Sequence, residues 1–166
     1  MDLINRPRRL RQNNAVRRMC RETRLSPDSL IYPVFVDETL SGKRPIPALD
    51  GQFHYGLDAV DEAVKSCIDA GVGRCILFGL PAKKDAQGSS AWDSKGVVQK
   101  AIRAIKAKYP DFYVITDVCM CEYTDHGHCG ILCGHDVDND KTLEVLSKTA
   151  LSHAEAGADM VAPSDM

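Results

Sequence analysis

The sequence predicts an α/β protein whose parallel strands are covered by helices. Strand-like and helix-like segments alternate along its 166 residues in the order βαβαβαβ. The strand-like segments are continuously apolar, which is typical of strands buried on both faces. Two architectures fit: an open doubly wound sheet, or the first half of a (β/α)8 barrel, since a whole barrel takes about 250 residues. No G-x-G-x-x-G sequence follows the first strand, which argues against a dinucleotide-binding sheet.

Each element is predicted from its local pattern. Four short apolar runs indicate strands at residues 30–36, 75–78, 112–116 and 160–162. Apolar side chains recur at helical spacing in three segments, at residues 57–70, about 95–108 and 140–156. The helices are expected to end at Gly71, Pro110 and Gly157, because proline and a left-handed glycine both stop a helix.

The inward faces of the helices follow from the same spacing. Asp140 is expected to cap the third helix, since short acidic side chains often accept the first backbone N–H groups. The inward side chains of the first helix are predicted to be Val60, Ala63, Val64, Cys67 and Ile68. Those of the second are Val98, Ala101, Ile102 and Ile105, and those of the third are Leu143, Leu146, Ala150 and Ala154.

Composition excludes several protein classes. The chain is 44% apolar and 27% charged, which is ordinary for a globular protein, and no apolar run approaches the length of a membrane span. The arginine-containing N-terminus has no apolar core typical of a signal peptide. Seven cysteines without a secretion signal favour reduced thiols and a cytoplasmic location.

Charge is distributed unevenly along the chain. Residues 1–24 contain eight arginines against Asp2 and Glu22, a local charge of +6, so the remainder carries −8. We expect an extended N-terminal arm at residues 1–25 and a partial barrel domain at residues 26–166. Clustered arginines also suit nucleic-acid phosphates, but no aromatic side chain interrupts the basic run and the rest of the chain is acidic. The prediction is therefore no nucleic-acid partner and no membrane.

The segment 117–130 concentrates metal-binding side chains. Cys119, Cys121 and Cys129 form a C-x-C-x7-C pattern, and zinc prefers thiolate and imidazole ligands. On extended backbone the first two thiols point to the same side and Met120 points away. Three protein ligands leave a fourth position open, which is typical of catalytic zinc; Cys133 or His128 as a fourth ligand would instead make a closed, structural site.

Asp117 is expected at the carboxyl end of the third strand, where catalytic groups of a barrel collect. The alternative is a local cap, but proximity to the metal site favours catalysis. His153 is expected to be a packed residue with one satisfied nitrogen. Cys67 and Cys75 fall at core positions and are expected to act as small apolar residues.

Several segments resemble the porphobilinogen synthase (5-aminolevulinate dehydratase) family in its zinc-dependent form. The resemblance rests on residues 6–11, 30–36, 76–79, 84–85, 88–89, 115–132 and 158–166, of which the cysteine segment and the last are highly specific. It implies a (β/α)8 barrel, and therefore favours the first half of that fold. The stretch 45–55 fits the family poorly.

The resemblance also implies an activity: condensation of two 5-aminolevulinate molecules to porphobilinogen, in tetrapyrrole (heme) biosynthesis. It makes Cys119, Cys121 and Cys129 the ligands of Zn²⁺ acting as a Lewis acid. His128 would lie beside them or belong to an alternative site. Asp117 and Ser164 would be catalytic. The arm would embrace a neighbouring subunit in a large homo-oligomer, an octamer by resemblance.

The family binds its substrates as Schiff bases on lysines of later strands, and no such lysine lies within residues 1–166. Lys83 and Lys84 are adjacent loop lysines, and we expect them to be solvated or to gate the substrate. The 166 residues are therefore expected to be an N-terminal half that is inactive alone. The alternative hypothesis is a non-catalytic zinc-binding α/β module used for sensing or assembly.

Overall fold

The protein is described here from a computed structural model, which places residue 4 and residues 8–164. The strands are β1 (Tyr32–Asp37), β2 (Lys43–Pro45), β3 (Phe53–Tyr55), β4 (Arg74–Leu80), β5 (Tyr113–Asp117), β6 (Leu132–Cys133), β7 (Asp136–Val137) and β8 (Met160–Ala162). The α-helices are α1 (Asn14–Met19), α2 (Val60–Asp69), α3 (Val97–Lys108) and α4 (Asn139–Ala156).

Four parallel strands, β1, β4, β5 and β8, follow one another across the main sheet, and a helix connects each to the next. Residues of β1 pair in register with β4 from Tyr32–Cys75 to Asp37–Leu80. The strand order does not reverse, as it would at the switch point of a doubly wound sheet. This consecutive order is that of a barrel, and it favours the barrel over the doubly wound sheet.

A hairpin extends the sheet at its first edge. Strands β2 and β3 pair antiparallel, and β3 lies parallel to β1 through Phe35–His54 and Val36–Tyr55. A second, separate hairpin joins β6 and β7. Neither hairpin was predicted from the sequence, because each strand is two or three residues long and shows no period that a pattern could reveal.

Helices α2 and α3 form the main core with the sheet. Their buried apolar side chains are Val60, Ala63, Val64, Cys67, Val97, Val98, Ala101, Ile102 and Ile105. Burying a side chain of the size of Ile102 contributes about 1.5–3 kcal/mol. The predicted inward face is confirmed for both helices except at Ile68, which is 44% exposed near the end of α2. Gly71, at φ +77°, follows that helix as predicted.

The inward face of α4 differs from the prediction. Leu143 is 42% exposed and Ala154 is exposed, whereas Leu146 is buried. The buried residues of this helix are Thr142, Val145, Leu146, Thr149, His153 and Ala156. Half of that face is polar by residue type, so apolar spacing identified only part of it: Leu146 is buried and Ala150 packs against the same cluster, as predicted. The cap is also two residues earlier than predicted: Asp138, not Asp140, accepts a hydrogen bond from the Lys141 N–H at 3.1 Å.

The arm is not wholly extended. Helix α1 begins after Asn13, whose side chain accepts a hydrogen bond from the Val16 N–H at 3.0 Å. Met19 is 75% exposed and Leu25 is 89% exposed. The parts of the family-like segments at residues 6–7 and 165–166 lie outside the described residues. Within the described part of the chain, no helix combines the length and apolar character that crossing a bilayer requires.

Candidate metal centre and active site

The cysteine loop, residues 118–131, leaves the carboxyl end of β5. The Val118 N–H donates to the Ala162 carbonyl at 2.9 Å, so the backbone stays attached to β8 for one residue beyond the strand. Val118 and Met120 are fully buried and pack in a small apolar cluster with Val145 and Leu146 of α4. Because the side chains of Val118 and Met120 point towards α4, those of Cys119 and Cys121 point away from it, on the same side as each other, as predicted.

The three predicted metal ligands converge. The Sγ atom of Cys119 lies 3.1 Å from that of Cys121 and 3.5 Å from that of Cys129, and all three sulfurs lie within 4.8 Å of one another. Sulfurs on a tetrahedral zinc ion are about 3.8 Å apart, given Zn–S bonds of about 2.3 Å. The spacing of the thiols therefore fits zinc.

The return of the loop to Cys129 depends on packing against α4. The Thr124 hydroxyl donates to the His128 carbonyl at 2.9 Å, and the Ile131 N–H donates to the Thr142 hydroxyl at 3.0 Å. A Cβ atom on Gly130 would lie 2.5 Å from Val137 and 2.6 Å from the Thr142 hydroxyl. Only glycine lets the loop backbone come this close to Val137 and Thr142, and the next residue back, Cys129, then lies within reach of Cys119.

Asp117 and Ser164 meet at the same edge of the sheet. The Ser164 hydroxyl donates to Oδ1 of Asp117 at 2.7 Å, although 47 residues separate them in sequence. They meet because β5 and β8 are neighbours, paired up to Asp117 and Ala162. The structure thus brings both predicted catalytic residues beside the thiols.

Glu122 was not singled out by the sequence patterns. Its carboxylate lies 3.3 Å from the Sγ atom of Cys121, and with Asp117 and Cys119 it forms a second group of close donor atoms. Burial raises the pKa of the Cys121 thiol to about 12, and the negative charge of Glu122 adds to the increase. Without a cation, this thiol therefore keeps its proton at neutral pH, so metal binding must release it.

Two possible fourth ligands were predicted, and neither joins the group of three sulfurs among the described residues. Cys133 is exposed on β6. His128 is exposed, and its backbone N–H donates to Nδ1 of His126 at 3.1 Å. The two rings are tilted at 37° to each other, with their centroids 5.5 Å apart. This geometry supports a site with three thiolates.

The other histidine, cysteine and lysine side chains considered in the sequence analysis are either buried in the core or exposed in a loop. Nδ1 of His153 lies 3.1 Å from the Thr116 hydroxyl, while Nε2 has no hydrogen-bond partner among the described atoms. This confirms the predicted packed histidine with one satisfied nitrogen. Burial raises the pKa of Cys67 to about 11 and that of Cys75 to about 12, which keeps both thiols protonated and unreactive. Lys83 is exposed, as is Lys84.

Comparison with known proteins decides the family. The family model described as delta-aminolevulinic acid dehydratase matches residues 4–166. The chain belongs to this family. A delta-aminolevulinic acid dehydratase from Ruminiclostridium josui is 56% identical over 99% of this chain and 80% of its own length. Another from Archaeoglobus fulgidus is 53% identical over 97% of this chain and 50% of its own length.

A solved member of the dehydratase family has the same fold. The crystal structure of delta-aminolevulinic acid dehydratase (porphobilinogen synthase) from Toxoplasma gondii ME49, in complex with the reaction product porphobilinogen, matches with a TM-score of 0.93 at 34% identity. The match covers 99% of this chain and 47% of that one. The sheet is thus half of the family's (β/α)8 barrel, which confirms the predicted fold class, and the chain spans about half the length of most relatives named here.

Proposed function

We propose that the protein acts as a porphobilinogen synthase, which condenses two 5-aminolevulinate molecules to porphobilinogen with loss of two water molecules. Family membership supports this, as does the product bound to the structurally similar Toxoplasma enzyme. Within that reaction, residues 8–164 supply the metal side of the active site. The proposal includes zinc as the metal, because all three convergent donors are thiols.

One observation carries the proposal. Cys119, Cys121 and Cys129 converge at the carboxyl end of β5, directly beside the hydrogen-bonded pair of Asp117 and Ser164. Barrel enzymes place their active sites at this end of the strands. A metal centre used only for stability has no need of a carboxylate and a hydroxyl at the open end of the barrel.

The residues divide the chemistry between them. The three thiolates would hold zinc, which supplies Lewis-acid polarisation of a substrate oxygen when bound. Asp117 would orient the amino group of the second substrate molecule or take a proton from it. The hydroxyl of Ser164 fixes the orientation of the Asp117 carboxylate through its 2.7 Å hydrogen bond. Cys119 is only 6% exposed, so little water reaches its thiol.

Carbonyl capture requires lysine amines in desolvated surroundings. Lys83 and Lys84 are exposed in the loop after β4, and they therefore do not suit this role. The family resemblance assigns it to lysines on later strands of the barrel. We propose that residues 1–166 bind zinc but do not form porphobilinogen alone. Product formation from 5-aminolevulinate, or a substrate adduct trapped on these residues by borohydride, would contradict this.

Zinc titration followed by X-ray absorption spectroscopy tests the metal centre. We expect one zinc ion per chain, bound by three sulfurs and one lighter atom. Four sulfurs would indicate a closed site and favour the alternative function, a non-catalytic zinc module used for sensing or assembly. No stoichiometric zinc binding would overturn the proposed metal chemistry, while the family and the fold would stand.

We also propose that the arm joins copies of the chain into a homo-oligomer, an octamer by family resemblance. The arm carries a charge of +6 against −8 for the remainder, and Leu10, Met19 and Leu25 are all more than half exposed. These features suit docking on an acidic neighbour. Sedimentation of the zinc-bound protein with and without residues 1–24 tests this: deletion should reduce the assembly size, and an unchanged size would refute the role of the arm.

A cytoplasmic location is part of the proposal. All seven cysteines lie in the described part of the chain, and none forms a disulfide. A zinc site of three thiolates requires reduced cysteines, which a reducing compartment maintains. Fractionation of the source cells, with zinc and thiol content measured in the recovered protein, tests this location.

A further inference from the structure

We propose that Asp85 is a positioning residue for the metal centre: it fixes the loop after β4 in the shape on which the cysteine loop folds. This inference rests on the proposed zinc function. Asp85 lies outside both groups of metal-binding side chains, so its effect must pass through the backbone of the cysteine loop.

The side chain of Asp85 organises its own loop first. Its Oδ1 atom accepts hydrogen bonds from the Gln87 N–H at 2.9 Å and the Ser89 N–H at 3.0 Å, and the Ser89 hydroxyl donates to Oδ2. The Gly88 N–H also donates to the Asp85 carbonyl at 3.1 Å. These bonds, led by that of the Ser89 hydroxyl, lower the pKa of the Asp85 carboxyl. The result is a closed turn over residues 85–89.

The backbone of Asp85 then holds the cysteine loop. Its N–H donates to the Tyr123 carbonyl at 3.3 Å, and its carbonyl accepts from the Asp125 N–H at 3.2 Å. These two bonds make a parallel bridge to Thr124, which is buried and whose hydroxyl bonds to the carbonyl before Cys129. The bridge therefore sits between two of the three thiols in sequence and sets the separation between them.

The turn made by Asp85 also packs against Met120, the residue between the first two thiols. Gly88 adopts a left-handed conformation at φ +63°, and a Cβ atom there would lie 2.6 Å from the Met120 methyl carbon and 3.2 Å from Cβ of Tyr123. Met120 separates Cys119 from Cys121 and is fully buried. The position of Met120, and with it the direction of both thiols, depends on the backbone of the turn.

A reciprocal effect follows from this contact. If the turn preorganises the thiols for zinc, zinc must stabilise the turn by the same free energy. The loop after β4 carries Lys83 and Lys84 on the same side of the barrel, so the metal centre and a basic, exposed part of the active-site end are linked. Zinc should therefore slow amide hydrogen exchange at Gly88 and Ser89.

Zinc affinity of three variants tests the proposal, measured by competition with a chromophoric chelator. Asp85→Ala should weaken zinc binding about tenfold or more, in the range seen for residues that orient metal ligands. Asp85→Asn keeps an acceptor for the two backbone N–H groups and should stay within about threefold of the parent protein. Asp93→Ala is the matched control, because Asp93 accepts the Lys95 N–H at 2.8 Å in a similar turn of the same loop.

Far-UV circular dichroism identifies any variant that fails to fold. Equal zinc affinity for Asp85→Ala and Asp93→Ala would overturn the inference, as would an Asp85→Asn variant as weak as Asp85→Ala. If the parent protein itself binds no zinc, the proposed function fails instead. If the parent binds zinc through three sulfurs and exchange at Gly88 and Ser89 is unchanged by the metal, the inference alone fails.

Discussion

At the amino end of β5 a carboxylate is matched by a cation, whereas at the carboxyl end carboxylates are gathered with thiols. Asp159 accepts hydrogen bonds from Lys106 at 2.9 Å and from the Val114 N–H at 2.7 Å. Asp117, four residues along from Tyr113, accepts the Ser164 hydroxyl and stands beside Cys119 and Glu122. The amino end neutralises its charge internally, while the carboxyl end concentrates anionic and soft donors that a bound cation would satisfy.

The largest effect should follow from removing a thiol at the carboxyl end. Cys129→Ala should weaken zinc binding about 100-fold or more. The total free energy of zinc binding by such sites is about 10–16 kcal/mol, and each of the four ligands contributes part of it. Cys129 is exposed, so the metal-free variant should unfold at the same urea concentration as the parent. Chelator competition and urea titration measure the two quantities.

Cys133→Ala is the matched control for that variant. Cys133 is also an exposed cysteine and lies four residues further on, on β6. Its removal should leave zinc affinity within about twofold, since only three sulfurs form the group. A loss comparable to that of Cys129→Ala would show a site of four sulfurs. The metal centre at the carboxyl end of β5 would then have no open position.

Between the two ends lies His153, whose buried ring contacts Thr116 of β5. Burial lowers its pKa from 6.5 to about 4. Between pH 6.5 and pH 4 the histidine is protonated in the unfolded chain but neutral in the folded chain. The free energy of unfolding therefore falls as the pH falls from 6.5 towards 4. The loss should reach about 3 kcal/mol at pH 4, given 1.36 kcal/mol per pKa unit.

His153→Gln removes this titration and provides the comparison. Urea unfolding of both proteins at several pH values should give a steeper decline for the parent between pH 6.5 and 4. Carboxyls with lowered pKa, such as Glu38 and Asp61, lose their contribution at lower pH in both proteins and cancel in the difference. Parallel curves would show that the folded chain protonates His153 as readily as the unfolded one.

At the amino end, Asp159→Ala should reduce the free energy of unfolding by about 2 kcal/mol, because it leaves the Val114 N–H and the Lys106 ammonium without their carboxylate. Zinc affinity should not change. Asp111→Ala removes an equal charge from an exposed position near the same end and should have little effect on stability. A change in zinc affinity with Asp159→Ala would show that the two ends of β5 are coupled.

The sequence predicted the barrel strands well but the polar contacts poorly. Residues such as Leu77 and Val114 lie in continuous apolar runs, and these runs were sufficient to place both ends of β4 and β5 to within two residues. The inward face of α4 was predicted only in part: Leu146 and His153 are buried as expected, but threonines share that face, and apolar spacing cannot identify a buried hydroxyl. The two hairpins were not predicted, because strands of two or three residues are too short to show an alternation of apolar and polar residues.

The candidate site divides in the same way. Cysteine spacing predicted the three convergent thiols, and the family resemblance brought in Ser164, which lies 47 residues beyond Asp117. Glu122 and Asp85 lie in family-like segments, but the sequence patterns gave neither of them a role in the site. Glu122 directly follows Cys121, so its sequence position was an available clue; the bridge from Asp85 to Thr124 depends on the fold and has no local pattern.

Ser164→Ala should have a small effect on stability. Ser164 is exposed, so water replaces its hydrogen bond to Asp117 and the free energy of unfolding should change by less than about 0.5 kcal/mol. If the hydroxyl nevertheless orients Asp117 for proton transfer, the variant in a catalytically complete enzyme should lose turnover about 10- to 100-fold with zinc affinity unchanged. Urea titration, chelator competition and porphobilinogen formation measure the three quantities. A stability loss like that of Asp159→Ala, with full turnover, would assign this pair to the structure and leave the carboxyl end of β5 with its thiols alone as functional groups.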